Sequence, residues 1–233
     1  FDAYFLSAVL SEAKAQCLGG RVEKIFQPSR DTVLFLIRGK ESRVKLLIAA
    51  NPAAPRLHLT AVSPENPPEP PMFCMVLRKH LSGARLAGLE QLPMERAVEF
   101  TFDCTDEMGY PVQKKLVAEL MGRTCNLYLL SPEGRILDCL RRVDFEMSQQ
   151  RQVLPGLYYH LPPRQDKCDP LTTEEDTFRR LLARRPEDSP LDRWLMDTFT
   201  AIPPLLAREL VCRTCGETDA RSTDPDTLWQ TFH

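Results

Sequence analysis

Three groups of residues in this sequence have the chemistry to recognise or transform a ligand. The first is Glu95-Arg96, an acid beside a guanidinium, in the turn that begins Leu92-Pro93-Met94. A neighbouring carboxylate orients an arginine, which then stacks on a base or donates a fork of hydrogen bonds to it. On residue type alone the pair reads first as a surface turn with a solvated ion pair, worth under about 1 kcal/mol. The second is Arg78-Lys79-His80 with Arg85, Arg123, Arg141 and Arg142. Such a set is either a phosphate-binding surface or a solvated face with cations at a helix C-terminus. Gly122-Arg123 interrupts a strand, which suggests an arginine on a bulge. Tyr158 and Tyr159 either stack on bases or pack beneath a wrapping segment. The third is Cys212-Arg213-Thr214-Cys215. A zinc site needs a second such pair or two histidines, and His58, His80, His160 and His233 are scattered. We therefore expect two thiols on one helical turn, no metal and no other cofactor.

The elements that position these residues repeat. Residues 3–18 carry Leu6, Val9, Leu10 and Ala13 on one helix face, ended by Gly19-Gly20. Arg21–Gln27 and Thr32–Arg38 flank the turn Pro28–Asp31 as a hairpin, and Arg43–Ala50 and Arg56–Thr60 are two more strands. The proline-rich stretch Ser63–Pro71 breaks the ladder. The pattern then restarts. Met72–Leu81 is a helix ended by Ser82-Gly83, and Arg85–Gln91 and Ala97–Asp103 flank the turn at Leu92–Glu95. Lys115–Met121, Asn126–Leu130 and Arg135–Leu140 are strands. Arg21, Ile25 and Gln27 recur as Arg85, Leu89 and Gln91 at an offset of 64. Phe35 and Ile37 recur as Phe100 and Phe102 at 65, and Leu46-Leu47 as Leu116-Val117 at 70. Offsets that grow only where loops lengthen mark a duplicated unit. Each half has one apolar face that it cannot bury alone. The expected fold is therefore α+β, two antiparallel sheets packed as a sandwich with the helices at its ends. The turns holding Asp31 and Glu95 then become pseudo-equivalent.

Residues 141–170 form an extended exit segment, with Arg151, Pro155 and Pro162-Pro163. From 171 the pattern is helical, with Thr172/Thr173 expected to cap a Glu-Glu-Asp first turn. Helices are expected over 173–184, 190–199, 203–215 and 225–233. The expected division is 1–170 and a small helical domain, 171–233.

Of 233 residues, 43% are hydrophobic and 27% charged, with a net charge of −2. That excludes a disordered tail, a collagen-like repeat and a bare coiled coil, and no apolar run approaches the ~18 residues of a membrane span. A near-neutral total leaves nucleic-acid binding to local patches. Several of the eight cysteines, such as Cys74 and Cys139, sit inside apolar runs. That is the placement of free thiols in a reducing cytoplasm rather than of a disulfide framework. The start at Phe1 and the stop on Trp229–His233 suggest a fragment of a longer protein.

Phe1-Asp2-Ala-Tyr-Phe-Leu, Gly19-Gly-Arg-Val-x-Lys-Ile-x-Gln-Pro-Ser, Met75-Val-Leu-Arg-Lys-His-Leu-Ser-Gly-Ala-Arg-Leu, Glu119-Leu-Met-Gly-Arg-Thr-Cys-Asn-Leu and Arg151-x-Val-Leu-Pro-Gly-x-x-Tyr-x-Leu-Pro-Pro occur in this order. Together they resemble the N-terminal region of the NFACT family, whose bacterial members are called RqcH or fibronectin-binding protein A homologues. The resemblance covers essentially the whole chain. It implies a first domain like the N-terminal domain of formamidopyrimidine-DNA glycosylases, and a helix-hairpin-helix-like domain after it. It also implies binding to the obstructed large (50S) ribosomal subunit with its stalled peptidyl-tRNA, and recruitment of alanyl-tRNA for C-terminal alanine tailing. Peptide-bond chemistry then belongs to the ribosome, and the protein is not an enzyme. The family's triad of an N-terminal Asp and an Asp-Arg pair falls on Asp2, Glu95 and Arg96 as tRNA-binding residues. Glu95 is one methylene longer than the family's aspartate, which shifts its reach by ~1.5 Å. Phosphate contacts are expected from Arg78, Lys79, Arg85, Arg123, Arg141 and Arg142. The hairpin around Ala201 and Pro203 lacks the glycines that admit a phosphate, which argues for packing or docking there.

Two other readings compete. A DNA glycosylase uses an N-terminal proline amine with a neighbouring glutamate, and Phe1-Asp2-Ala3 offers neither, so no DNA is expected. A surface adhesin for fibronectin is suggested by one family name, and the thiols and the missing signal segment argue against it. Neither membrane nor adhesion is the expected setting.

Overall fold

The structure, a computed structural model, describes residues 2–40, 42–92, 95–148, 151–161 and 166–233. Phe1, Pro93, Met94, Pro162, Pro163 and the side chain of Arg123 lie outside the described residues. The chain divides into two compact units, Ala3–Pro162 and Pro163–His233.

In the first unit, Leu6, Leu10, Ala13 and Cys17 recur at helical spacing, and α1 (Ala3–Cys17) buries all four. Gly19, at φ +81°, ends the helix in the left-handed region that glycine enters without a Cβ clash. In α2 (Met72–Leu81) the buried residues Cys74, Leu77 and Leu81 stand 64 positions after Leu10, Ala13 and Cys17. Gly83, at φ +76°, stands 64 after Gly19. Four strands follow each helix. They are β1 (Arg21–Ser29), β2 (Thr32–Arg38), β3 (Arg43–Ala49) and β4 (Arg56–Thr60), then β5 (Arg85–Gln91), β6 (Ala97–Thr105), β7 (Pro111–Glu119) and β8 (Asn126–Leu130). A last strand, β9 (Ile136–Cys139), is added at the end. Val22 and Ile25 on β1, like Leu86 and Leu89 on β5, are three apart yet all buried. A register shift between Val22 and Lys24, matched between Leu86 and Gly88, supplies the extra residue that turns both inward.

The expectation of two separate sheets is corrected. All nine strands form one antiparallel sheet in the order β4-β3-β2-β1-β5-β6-β7-β8-β9. The physical reason is the pair of edges that two sheets would leave. Unpaired, β1 and β5 would each present open backbone groups, and pairing them removes both edges. At the seam Arg21 is the register partner of Arg85, its own repeat-mate. The Gly19 amide donates to the Leu86 carbonyl at 2.8 Å and the Gly83 amide to the Val22 carbonyl at 2.9 Å. Val22 N–H to Ala84 O, 2.9 Å, is matched by Leu86 N–H to Gly20 O, 2.8 Å. Every bond has its counterpart 64 residues on, as a local twofold axis through Arg21 and Arg85 requires.

The sheet nevertheless folds over this seam. The rings of Phe35 on β2 and Phe102 on β6 are 6.2 Å apart. Three strand spacings of about 4.8 Å would hold them much farther apart on a flat sheet. One core takes its side chains from both halves and both helices. Each helix packs across the seam, α1 on β3, β4 and β5, and α2 on β1, β6 and β9.

The second unit holds α3 (Glu175–Ala183), α4 (Leu191–Thr198), α5 (Pro204–Cys215) and α6 (Pro225–Phe232). Phe178 is fully buried, and the rings of Trp194, Phe199, Trp229 and Phe232 lie within 5.7 Å of its centroid. The cap of α3 differs from expectation. Glu174 is the N-cap and makes no side-chain cap bond. The Thr173 hydroxyl donates instead to the Asp169 carbonyl at 2.6 Å. A hydroxyl bonded back into the preceding turn is not available to a helix amide. Asp224 does cap α6, accepting from the Thr227 amide at 3.0 Å. Among the described residues no helix is long and apolar enough to cross a membrane.

Candidate nucleic-acid interface

The Glu95-Arg96 corner is held by its backbone. The Glu95 amide donates to the Leu92 carbonyl at 3.0 Å, and the Arg96 carbonyl accepts from the Leu120 amide at 2.7 Å. From β5, the half-buried Gln91 donates from Nε2 to the Glu95 carbonyl at 3.0 Å and to the Ala3 carbonyl at 2.9 Å. One side-chain amide thus ties the first residue of α1, which follows Asp2, to the corner. Asp2, Glu95 and Arg96 are all half-buried. The structure therefore brings the backbone at Ala3 and Glu95 to one point.

The corner has a counterpart in the first repeat. Gln27, 64 residues before Gln91, donates from Nε2 to the Arg30 carbonyl at 3.4 Å. The Asp31 carbonyl accepts from the Ala50 amide at 2.8 Å, as Arg96 does from Leu120. By these bonds Arg30 matches Glu95, and Asp31 matches Arg96. The expected pairing of Asp31 with Glu95 is shifted by one, because the second turn is one residue longer. The charges are reversed between the two corners.

Behind the corner lies a buried ionic cluster. Glu119, at the end of β7 and 0% exposed, receives both arms of Arg151 at 2.6 and 2.8 Å. It also accepts from the hydroxyls of Tyr128, 2.9 Å, and Tyr159, 2.7 Å. Burial and the carboxylate push both phenols up, and the carboxylate holds the Arg151 guanidinium protonated despite its burial. Arg151 binds the His160 carbonyl as well, at 2.5 Å, so the cluster straps the exit segment to β7. The next residue after Glu119 is Leu120, whose amide holds Arg96. Tyr159 belongs to this packing, and Tyr158 lies under Arg135 at 4.2 Å.

The other basic residues are dispersed. Arg78 donates to the Ile25 carbonyl at 2.8 Å and covers the Phe26 ring. Lys79 pairs with Glu107 at 3.1 Å on the surface. Arg85 is exposed at the seam. Arg141 binds Asp31 at 2.5 Å and the carbonyls of Ala50 and Cys125 at 2.8 and 2.9 Å, joining the two halves. Arg142 is exposed, 3.5 Å from the buried Asp138. Gly122, at φ +50°, opens a single 3₁₀ turn to Thr124 after β7 has ended, where a bulge was expected. In α5, Cys212 is exposed and Cys215 half-buried, and all eight cysteines are free thiols. Sequence reasoning missed the strap by Arg151 on Glu119 and the bracket made by Gln91. The recurrence of Gln27 as Gln91 was the available signal.

The sheet with its flanking helices defines a fold shared with fibronectin-binding protein N-terminal domains. It superposes on the N-terminal part of the fibronectin/fibrinogen-binding protein from Streptococcus suis with a TM-score of 0.83 at 30% identity, over 100% of this chain and 84% of that one. The N-terminal domain of the fibronectin-binding protein PavA from Streptococcus pneumoniae matches with a TM-score of 0.81 at 31% identity, over 90% of this chain and 77% of that one. The family model described as the NFACT N-terminal and middle domains matches residues 2–233. The chain therefore belongs to the NFACT family. It is similar to the Rqc2 homolog RqcH of Bacillus subtilis, 41% identical over 214 residues, which is 91% of this chain and 37% of that protein. The RqcH of Streptococcus pneumoniae is 34% identical over 78% of this chain and 33% of its own length. The chain thus spans about a third of the length of these two relatives.

Proposed function

We propose that this chain is the N-terminal part of a cytoplasmic factor of ribosome-associated quality control that contacts tRNA at Asp2, Glu95 and Arg96. In this reading the whole protein binds the obstructed large (50S) subunit with its stalled peptidyl-tRNA. It recruits alanyl-tRNA for C-terminal alanine tailing, and it binds rather than catalyses. Residues 1–170 then act as a domain of the formamidopyrimidine-DNA-glycosylase type, and 171–233 as a helix-hairpin-helix-like domain used for docking. Exposed Lys79, Arg85 and Arg142 suit phosphate contact, with Arg78, Arg123 and Arg141 as further candidates from the sequence. Support comes from relatives named RqcH, and the observation that carries the reading is the Gln91 bracket between Ala3 and Glu95. Gln91 reaches Ala3, 88 residues earlier in the sequence, and so joins the two segments that contribute the triad.

The test is tailing by the full-length protein. Asp2→Ala and Arg96→Ala are each expected to abolish it with circular dichroism unchanged. Normal tailing by both variants rejects the assignment. A second reading, a fibronectin-binding surface protein, is favoured by what the matched solved structures are called. Native protein found at the cell surface and not with large subunits would put that reading first.

A further inference from the structure

The repeat that builds the corner is incomplete on its other side. The helix of the first half, α1, begins at Ala3, and its start is bonded to Gln91 of the second half. The position one repeat later is Pro67, five residues before α2 begins at Met72. Proline explains the shortening, since Pro67, Pro68, Pro70 and Pro71 supply no amide for a helix ladder. The missing stretch is more than one helical turn, about 7 Å of helix. Beside Gln27, the counterpart of Gln91, there is a cavity of about 840 Å³.

Its chemistry is specific. Pro67, Pro71, Met72, Phe73 and Leu140 give it apolar walls, and Gln27, Ser29 and Asp138 are its uncharged and acidic polar groups. Gln27 is 5% exposed, and its Oε1 is buried with no hydrogen-bond partner among the described residues. A buried carbonyl without a donor is costly, and turning the Gln27 amide toward the cavity, away from its long 3.4 Å bond to Arg30, lets a ligand N–H relieve it. Two exposed cations, Arg30 and Arg142, also line the cavity. Arg142 is only loosely held, at 3.5 Å from Asp138. Apolar walls accept a base ring, an orphan acceptor asks for an amino group, and two guanidinium groups suit phosphate.

We infer that this cavity binds one nucleotide whose base carries an exocyclic amine, the base between the proline wall and Leu140 and the phosphate against Arg30 and Arg142. The site is distinct from the Glu95-Arg96 corner and stands whether or not that corner contacts tRNA. The nucleotide is free or part of a single-stranded RNA, and both present the same chemistry.

The experiment uses the full chain with adenosine monophosphate, a fluorescent hexa-adenylate and a fluorescent hexa-uridylate. Binding is followed by calorimetry and anisotropy, and 8-azido-adenosine monophosphate maps the contact by photo-crosslinking. Adenylate is expected to bind at least tenfold more tightly than uridylate, which lacks the amine. Cross-links are expected on peptides containing 67–73 or 138–142. The double variant Arg30→Ala/Arg142→Ala and the single variant Met72→Glu are expected to weaken adenylate binding at least tenfold. Met72 is 72% exposed, so its substitution leaves the fold intact. Equal affinity for both adenylate probes marks a mononucleotide site, and preference for the hexamer marks a base within RNA; each supports the inference. Arg96→Ala is expected to leave adenylate binding unchanged, which separates this site from the corner. Failure of both adenylate probes to bind, equal binding of uridylate, or cross-links confined to other peptides overturns it.

Discussion

Gln27 and Gln91 stand one repeat apart, and each gives its Nε2 to the carbonyl of the corner that follows, Arg30 in one case and Glu95 in the other. Among the described residues only Gln91 has a second acceptor, Ala3, because α1 is long enough to reach it. The duplicated scaffold is thus the same on both sides, and the difference in helix length decides which side is filled.

Gln91→Ala should loosen the start of α1 from the corner. It leaves the Ala3 and Glu95 carbonyls without that donor, a loss of about 1–2 kcal/mol. Hydrogen exchange should quicken in the first turn of α1 and stay unchanged in β7. If the corner reads tRNA, binding by the full-length protein should drop with it. Protection of residues 3–7 equal to the parent would remove the bracket from the argument.

Much of the first unit was legible in the residues. Thr32–Arg38, Arg56–Thr60, Met72–Leu81, Arg85–Gln91 and Asn126–Leu130 have the bounds that periodicity and flanking breakers dictate. Apolar alternation is a local signal, and the repeat multiplied it. The single sheet was not legible, because nothing within β1 states that its partner is β5, 64 residues away. The one-residue shift of Glu95 onto Arg30 was hidden for a related reason. It depends on which carbonyl a glutamine reaches, and residue types alone do not encode that. Thr173 shows the same limit, as its hydroxyl had two possible partners and tertiary context chose Asp169. Of the candidate site, Glu95 and Arg96 stand out through the family resemblance, since residue type alone reads them as a solvated surface pair. The Glu119–Arg151 strap needed the exit segment to return to β7.

Glu119→Ala should be the most destabilising single change in the first unit. It leaves the guanidinium of Arg151 unpaired beside two phenols, and breaking a buried pair costs about 3–5 kcal/mol. Arg151→Met should cost less, since it removes the charge that burial penalises but leaves Glu119 with its two tyrosines. Urea unfolding of the two variants and the parent would check the order. Equal midpoints for Glu119→Ala and the parent would show that the strap carries no stability.

His80 gives a pH dependence whose sign follows from its surroundings. Lys114 Nζ donates to His80 Nδ1 at 3.0 Å, which requires a neutral ring. Burial first, then the charges of Lys114 and Lys79, lower its pKa below 6.5, and Glu107 opposes this only in part. The unfolded chain therefore binds the His80 proton more readily. Stability from this group is full above about pH 6.5 and is lost as pH falls from there toward the lower folded value. The urea midpoint should drop between pH 7.5 and 5.5, before carboxylates titrate. His80→Gln, which keeps an acceptor for Lys114, should flatten that drop. An unchanged slope in the variant would assign it elsewhere.

The thiols should separate by accessibility. Cys17, Cys74, Cys125 and Cys139 are buried, and burial pushes Cys17 and Cys139 up to about 11 and raises Cys74 and Cys125. The thiolate is the reacting species, so at pH 8 these four present little of it and no approach path. Cys212 is exposed on α5. A disulfide reagent at pH 8 should label Cys212 fastest, and Cys212→Ser should remove that fastest phase. The four buried thiols should react only in denaturant, each at a similar rate once the chain is open. Early labelling of Cys17, which lies under the β1–β5 seam with 0% exposure, would mean that the two repeats part in the native state.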